Sequence, residues 1–291
     1  MRSSPLCRTS KPMTATILDQ LAAHARERVA QAKAARPLEQ VMAEARSMDC
    51  ASGFPFERAL KGNGFFCPKG CASGGAGGTS PAFICECKKA SPSKGLIAPE
   101  FPYLQIAKEY EAAGAAAISV LTEPKWFLGR DAYLREIAAE VKIPCLRKDF
   151  TVDEYMIFEA KVLGAAAVLL IVSLLDGPTL RRFIEICDGL GLSALVEAHD
   201  EAEIETALKV GARIIGVNNR NLKDFSVDTG NSGRLRSRVP KGIIFVAESG
   251  IKTAEDVAAL RRAGVNAVLV GEALMTAPDK RAALNRLRGG D

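Results

Sequence analysis

Histidine is almost missing from this chain of 291 residues: His24 and His199 are the only two. With His24 on an N-terminal helical stretch and His199 in a run that reads as a helix cap, no serine-hydrolase triad and no histidine-rich metal site can be assembled. No apolar run is long enough to cross a bilayer, and the N-terminus lacks the apolar core of a secretory signal, so no membrane partner is expected. No basic block with interleaved aromatics occurs, which argues against a nucleic-acid partner. The net charge of +5 carries little weight, because Arg2, Arg8 and Lys11 supply three of it before any acidic residue appears, leaving about +2 for the rest. Met13-Thr14-Ala15 resembles a natural start, so residues 1–13 are expected to be a disordered extension.

What is present is ample apolar material, 48% of residues, with an ordinary 25% charged. The eight cysteines do not form the spacing of a disulfide scaffold, and Cys85, Cys87 and Cys145 fall in apolar runs. That usage suits a reducing cytoplasm. Cys67 and Cys71 bracket Pro68-Lys69-Gly70 like half of a metal site, but two thiolates with no nearby histidine do not fill a tetrahedral shell. The glycine-rich stretch 62–80 around them is expected to be a flexible insertion without metal.

From residue 81 onward one punctuation recurs: a helical pattern, a glycine, then a short apolar run. Gly114, Gly164, Gly191, Gly211 and Gly264 each precede such a run, and glycine suits the left-handed position that ends a helix. Pro144 and Pro240 introduce two more. The runs are apolar on both faces, as parallel strands covered by helices should be. Eight strands follow, at 82–88, 115–121, 144–148, 166–172, 193–198, 213–218, 242–248 and 266–270. Helices are expected between them, for example at 102–113, 131–140, 152–163, 178–189, 200–209 and 253–263. Eight strand–helix units predict an α/β fold of the TIM (β/α)8 barrel type over residues 81–291. A doubly wound sheet usually has fewer strands and a glycine-rich fingerprint after the first, which this chain lacks. Residues 14–80 form an N-terminal helical extension, broken at Pro37, whose apolar stripe closes the bottom or rim of the barrel.

Barrel chemistry comes from the C-terminal ends of strands, and that is where the unusual polar residues fall. The first strand leads into Phe83-Ile84-Cys85-Glu86-Cys87-Lys88-Lys89-Ala90-Ser91-Pro92-Ser93-Lys94-Gly95. Alternation puts Glu86 and Lys88 on one face with Ile84, while Cys85 and Cys87 take the other. The third strand ends in Lys148, the fifth in Glu197, the sixth in Asn218 and Arg220, and the seventh in Glu248-Ser249-Gly250. Leu146, Leu195 and Val246 share faces with Lys148, Glu197 and Glu248. Gly250 and Gly271 close the last two strands, where such barrels commonly hold phosphate, and Ser91 and Ser249 can add hydroxyl donors. Glu272–Met275 reads as a short helix after Gly271. His199 reads as part of the cap of the following helix.

These elements, Glu86-x-Lys88-x-x-Ser91-Pro92-Ser93 with Leu146-Arg147-Lys148-Asp149-Phe150, Leu195-Val196-Glu197, Gly216-Val217-Asn218-Asn219-Arg220 and Val246-Ala247-Glu248-Ser249-Gly250, resemble the indole-3-glycerol phosphate synthase family from about residue 16 onward. The resemblance implies ring closure of 1-(2-carboxyphenylamino)-1-deoxyribulose 5-phosphate with loss of CO2 and water, no cofactor, and a phosphorylated small molecule as partner. It assigns Lys148 as principal general acid and Glu197 as acid/base. Lys88, held by Glu86, would orient the substrate carboxylate or act as a second acid. Asn218 and Glu248 would hold the hydroxyl region and Arg220 the carboxylate. Ser91, Ser249, Gly250 and Gly271 would hold the phosphate. Family members often have serine where this chain has Glu272, which is therefore expected to face outward. A monomer and a homodimer both fit. Competing readings are another phosphate-binding barrel, such as phosphoribosylanthranilate isomerase or the tryptophan synthase α subunit, and an inactive barrel kept as a scaffold; the latter is disfavoured by the presence of Lys148 and Glu197.

Overall fold

Eight parallel strands close into a barrel in the computed structural model, which describes residues 16–51, 53–61, 80–221 and 225–290. The strands are β1 (Ala82–Cys87), β2 (Ala117–Leu121), β3 (Cys145–Lys148), β4 (Ala167–Ile171), β5 (Ser193–Ala198), β6 (Ile214–Asn218), β7 (Ile244–Glu248) and β8 (Ala267–Val270). Each pairs with its chain neighbour, and β1 closes on β8 with Ile84 opposite Leu269. All eight expected strands are present, most starting one or two residues later than the apolar pattern alone suggests. The reason is the helix stop. Gly114, Gly164, Gly191, Gly211 and Gly264 all take positive φ, and the residue after each donates its N–H to a carbonyl five residues back, as Ala115 does to Tyr110 at 2.9 Å. Residues just after the glycine therefore complete the cap before the strand begins.

The expected helices are α4 (Tyr103–Ala112), α5 (Asp131–Glu140), α6 (Glu154–Val162), α7 (Gly177–Gly189), α8 (Glu201–Lys209) and α10 (Ala254–Arg262). The short α11 (Glu272–Met275) and a terminal α12 (Lys280–Leu287) follow β8. Two features depart from the sequence reading. After β6, among the described residues, stand only α9 (Asn231–Leu235) and one 3-10 turn, since that stretch is rich in Asn, Asp, Gly and Ser and has little more than Leu235 and Val239 to bury. The loop after β1, where the sequence reading placed no strand, holds a small antiparallel ladder in which Ala90–Ser91 and Gly95–Leu96 pair.

Side-chain alternation separates two cores. Ile84, Leu146, Leu195 and Val246 lie in the barrel interior, whereas Cys85, Cys87 and Cys145 lie under the helices. The N-terminal extension serves both ends of the barrel. In α1 (Ile17–Ala35), Leu21 joins the interior core near the C-terminal strand ends, where Arg28 grips Asp149 at 2.6 and 3.1 Å. In α2 (Leu38–Ser47), Val41 and Ala45 pack against the outer face of α6. In α3 (Pro55–Lys61), Phe56 and Leu60 plug the opposite mouth against strand-start residues such as Ala82, Ile214 and Ile244. The expectations for residues 1–13 and for Cys67 and Cys71 in the 62–80 stretch lie outside the described residues. Among the described residues no helix is long and apolar enough to cross a membrane.

Phe56 is fully buried at that mouth. Phe56→Ala should cost about 3–5 kcal/mol of stability, read from urea midpoints, because the ring of strand starts cannot collapse into the void.

Candidate active site

At the C-terminal end of the barrel lies a cavity of about 730 Å³, and every catalytic or substrate-binding residue expected from the sequence lines it. Its centre is Lys148. Strand register explains the placement, since Leu121 faces Lys148, Ile171 faces Glu197 and Asn218 faces Glu248 across neighbouring strands. Lys148 Nζ sits 3.4 Å from Glu197 Oε2 and 3.6 Å from Glu248 Oε2. Lys88 Nζ lies 2.8 Å from Glu86 Oε1, while Ser119 Oγ donates to Glu86 Oε2 at 3.2 Å. Two glycines make room for these carboxylates. A Cβ on Gly216 would meet Glu248 Oε1 at 2.2 Å, and one on Gly271 would meet Glu86 Oε1 at 2.5 Å.

The polar groups form a chain around the rim. Asn218 Nδ2 donates to Glu197 Oε1 at 3.2 Å, and Ser249 Oγ donates to Asn218 Oδ1 at 2.8 Å. The Arg220 backbone N–H reaches the same Asn218 oxygen at 3.0 Å, and its guanidinium donates to the Phe225 carbonyl at 3.2 Å. Ser249 adopts a left-handed φ of 68° and Gly250 follows at 80°, so the chain turns sharply at the cavity edge. A serine in that region costs on the order of 1 kcal/mol, which its bond to Asn218 helps offset. Ser91 is buried beside this rim, and Glu272, expected to face outward, instead lines the cavity edge and pairs there with Lys94 at 3.2 Å.

Electrostatics divides the two carboxylates around Lys148. Burial works against the ammonium, but Glu197, Glu248 and Glu86 outweigh it and hold Lys148 well above the ordinary lysine range. Burial also works against an ionised Glu197, yet Lys148 and His199 keep its carboxyl below the usual value. Glu248 loses the contest: burial pushes it up to about 8, because Lys148 is shared and Glu197 and Glu86 repel a further charge. Its Oε1 is buried without a hydrogen-bond partner among the described residues. Glu86 is held low by Lys88 and Lys148 against its burial.

Sequence reasoning missed the apolar half of the cavity. Ile17, Leu21, Phe127, Phe150, Leu169 and Ile171 line it. Phe150 directly follows Lys148-Asp149, but α1 and the loop after β2 come from distant sequence and have no local signature. That loop is folded around Glu123, whose carboxylate accepts the N–H groups of Lys125, Trp126 and Phe127 and faces His24 of α1 at 3.1 Å. For His199 the cap reading holds only in part. Asp200 is the N-cap of α8, while the His199 ring lies behind Glu197.

Because Glu248 keeps its proton to higher pH when folded than when unfolded, it favours the folded state at low pH. That contribution fades as pH rises from about 4.5 to about 8. Glu248→Gln should therefore gain on the parent by about 4 kcal/mol between the two ends of this window. Urea midpoints at each end check it, and a pH-independent gap would contradict the split.

A family model described as indole-3-glycerol phosphate synthase matches residues 18–287. A protein of that name from Ruminiclostridium cellulolyticum is 54% identical over 273 residues, covering 94% of this chain and 99% of its own length. Proteins of the same name from Lachnoclostridium phytofermentans and Endomicrobium trichonymphae are 50% and 52% identical, covering 94% and 89% of this chain and 98% and 94% of their own lengths. Among solved structures, thiamine phosphate pyrophosphorylase from Pyrococcus furiosus superposes with a TM-score of 0.53 at 19% identity, over 72% of this chain and 94% of that one. A mandelate oxidase mutant superposes at 0.54 with 19% identity, over 72% and 71%. At such identities these two share the barrel fold alone.

Proposed function

We propose a division of labour for this cavity from the premise that the chain belongs to the indole-3-glycerol phosphate synthase family. The reaction closes the pyrrole ring of 1-(2-carboxyphenylamino)-1-deoxyribulose 5-phosphate, releasing CO2 and water. The anilino nitrogen already pushes electrons into the ring carbon that attacks the ketone. What the protein must supply is an acid at the ketone oxygen, a base for the later loss of a carbon-bound proton, and a clamp on two anionic ends.

Lys148 is the acid. Three carboxylates keep it loaded as an ammonium in a buried site, and the oxyanion forming on the ketone is the stronger acceptor that draws its proton. Loss of CO2 then restores the benzene ring. The new hydroxyl leaves as water with a second proton, which Lys88, oriented by Glu86, is placed to give. Ionised Glu197 takes the proton from the ring methylene, and the indole forms. Glu248 is protonated at neutral pH and so offers the substrate hydroxyls a donor, with Asn218 beside it. Arg220 faces the substrate carboxylate. The Ser91 and Ser249 hydroxyls and the Gly250 and Gly271 backbone receive the phosphate. The apolar wall from α1, Phe127 and Phe150 takes the aromatic ring.

Residues 81–290 thus act as the catalytic unit, with the preceding helices as its two end closures. One chain builds the whole cavity, so a monomer suffices for the chemistry. The unpaired thiols of Cys50, Cys85, Cys87, Cys145 and Cys187 suit a reducing cytoplasm.

The observation that carries this reading is the Lys148 ammonium lying between Glu197 and Glu248. Lys148→Ala should lower kcat by about 10²- to 10⁴-fold while KM changes little, measured by the fluorescence of the indole product. Near-normal turnover in that variant would overturn the assignment.

A further inference from the structure

We propose that His199 is a positioning residue for this reaction, its ring fixed by Glu203 and set against the oxygen of Glu197 that Lys148 does not face. The inference rests on the role of Glu197 given above. Glu203 Oε2 accepts from the His199 backbone N–H at 2.7 Å and lies 3.0 Å from its Nδ1. Asn231 Nδ2 donates to the His199 carbonyl at 3.1 Å. The ring therefore cannot turn to seek another partner.

Its far nitrogen points back into the site. Nε2 lies 3.6 Å from Glu197 Oε1, buried and without a hydrogen-bond partner among the described residues. With a hydrogen on Nδ1 toward Glu203, a bare Nε2 would set its lone pair against a carboxylate oxygen. A second proton on the ring removes that repulsion and makes an ion pair instead. The charged groups around the ring favour this. Glu197 acts on it from β5, Glu203 from α8 and Glu248 from β7, while Lys148 of β3 pairs with the other oxygen of Glu197. Burial opposes a charged imidazole here, but the carboxylates outweigh it and raise its titration. Glu197 is thereby gripped on both oxygens, Oε2 by Lys148 and Oε1 by Asn218 and His199. The cation behind it keeps the base ionised and aimed into the cavity.

The test uses the shortage of histidine. With two imidazoles in the chain, a ¹⁵N-histidine NMR titration shows two ring systems, and His24→Gln assigns the other to His199. In Glu197→Gln the His199 midpoint should move to lower pH. In His199→Gln, kcat should fall about tenfold near pH 6 and approach the parent value near pH 9, with KM little changed. An unmoved midpoint, or a kcat loss equal at both pH values, would overturn the proposal and leave a packing role. The NMR result does not depend on turnover, so a failure of the ring-closure reading would show separately.

Discussion

A buried ammonium surrounded by carboxylates is the constraint on which the rest of this structure depends. Lys148 without partners in a barrel interior would cost several kcal/mol or lose its proton. Two carboxylates within 4 Å and a third nearby keep it charged. One cation cannot hold two carboxylates equally, so the Glu197 carboxyl is held below its usual range while burial and repulsion push Glu248 up to about 8. In the proposed mechanism an acid, a base and a neutral donor thus arise from three side chains of ordinary chemistry. The parallel barrel is what brings them together, because it points the ends of β1, β3, β5 and β7 at one place.

That arrangement sets demands elsewhere. Gly216 on β6 and Gly271 after β8 are required by space rather than by dihedral angle, since any side chain there would enter a carboxylate. Asp149, next to Lys148, holds Arg28 of α1 with its carboxylate. Arg147, on the other side, turns to the helix layer and pairs with Asp131 and Glu159. Three consecutive charged residues therefore serve the site, the end closure and the shell. Alternation along the strand is the reason they do not compete.

The barrel was legible in the sequence because its physics is local. Glycine stops, apolar runs and two-residue parity are written within a few residues of each strand, and they placed Lys148, Glu197 and Glu248 on the inner face. The polar half of the cavity followed from strand ends alone. Its apolar half did not, because Ile17 and Leu21 reach it through an α1 position set by Arg28–Asp149 and His24–Glu123, contacts spanning about 100 residues or more. His199 sits two residues past Glu197, where the strand has ended and parity no longer decides direction. Nothing in the sequence marks its ring as facing back toward the carboxylate, because Glu203, which fixes it, belongs to the next helix.

The most direct test of this account is turnover by Lys148→Arg, followed through indole fluorescence, together with substrate affinity. Arginine keeps the charge among the three carboxylates but holds its proton far more tightly. If Lys148 acts by giving its proton to the ketone oxygen, this variant binds substrate and fails to turn it over. Turnover close to the parent rate would mean that the charge alone suffices, and the acid assignment at the centre of the account would be wrong.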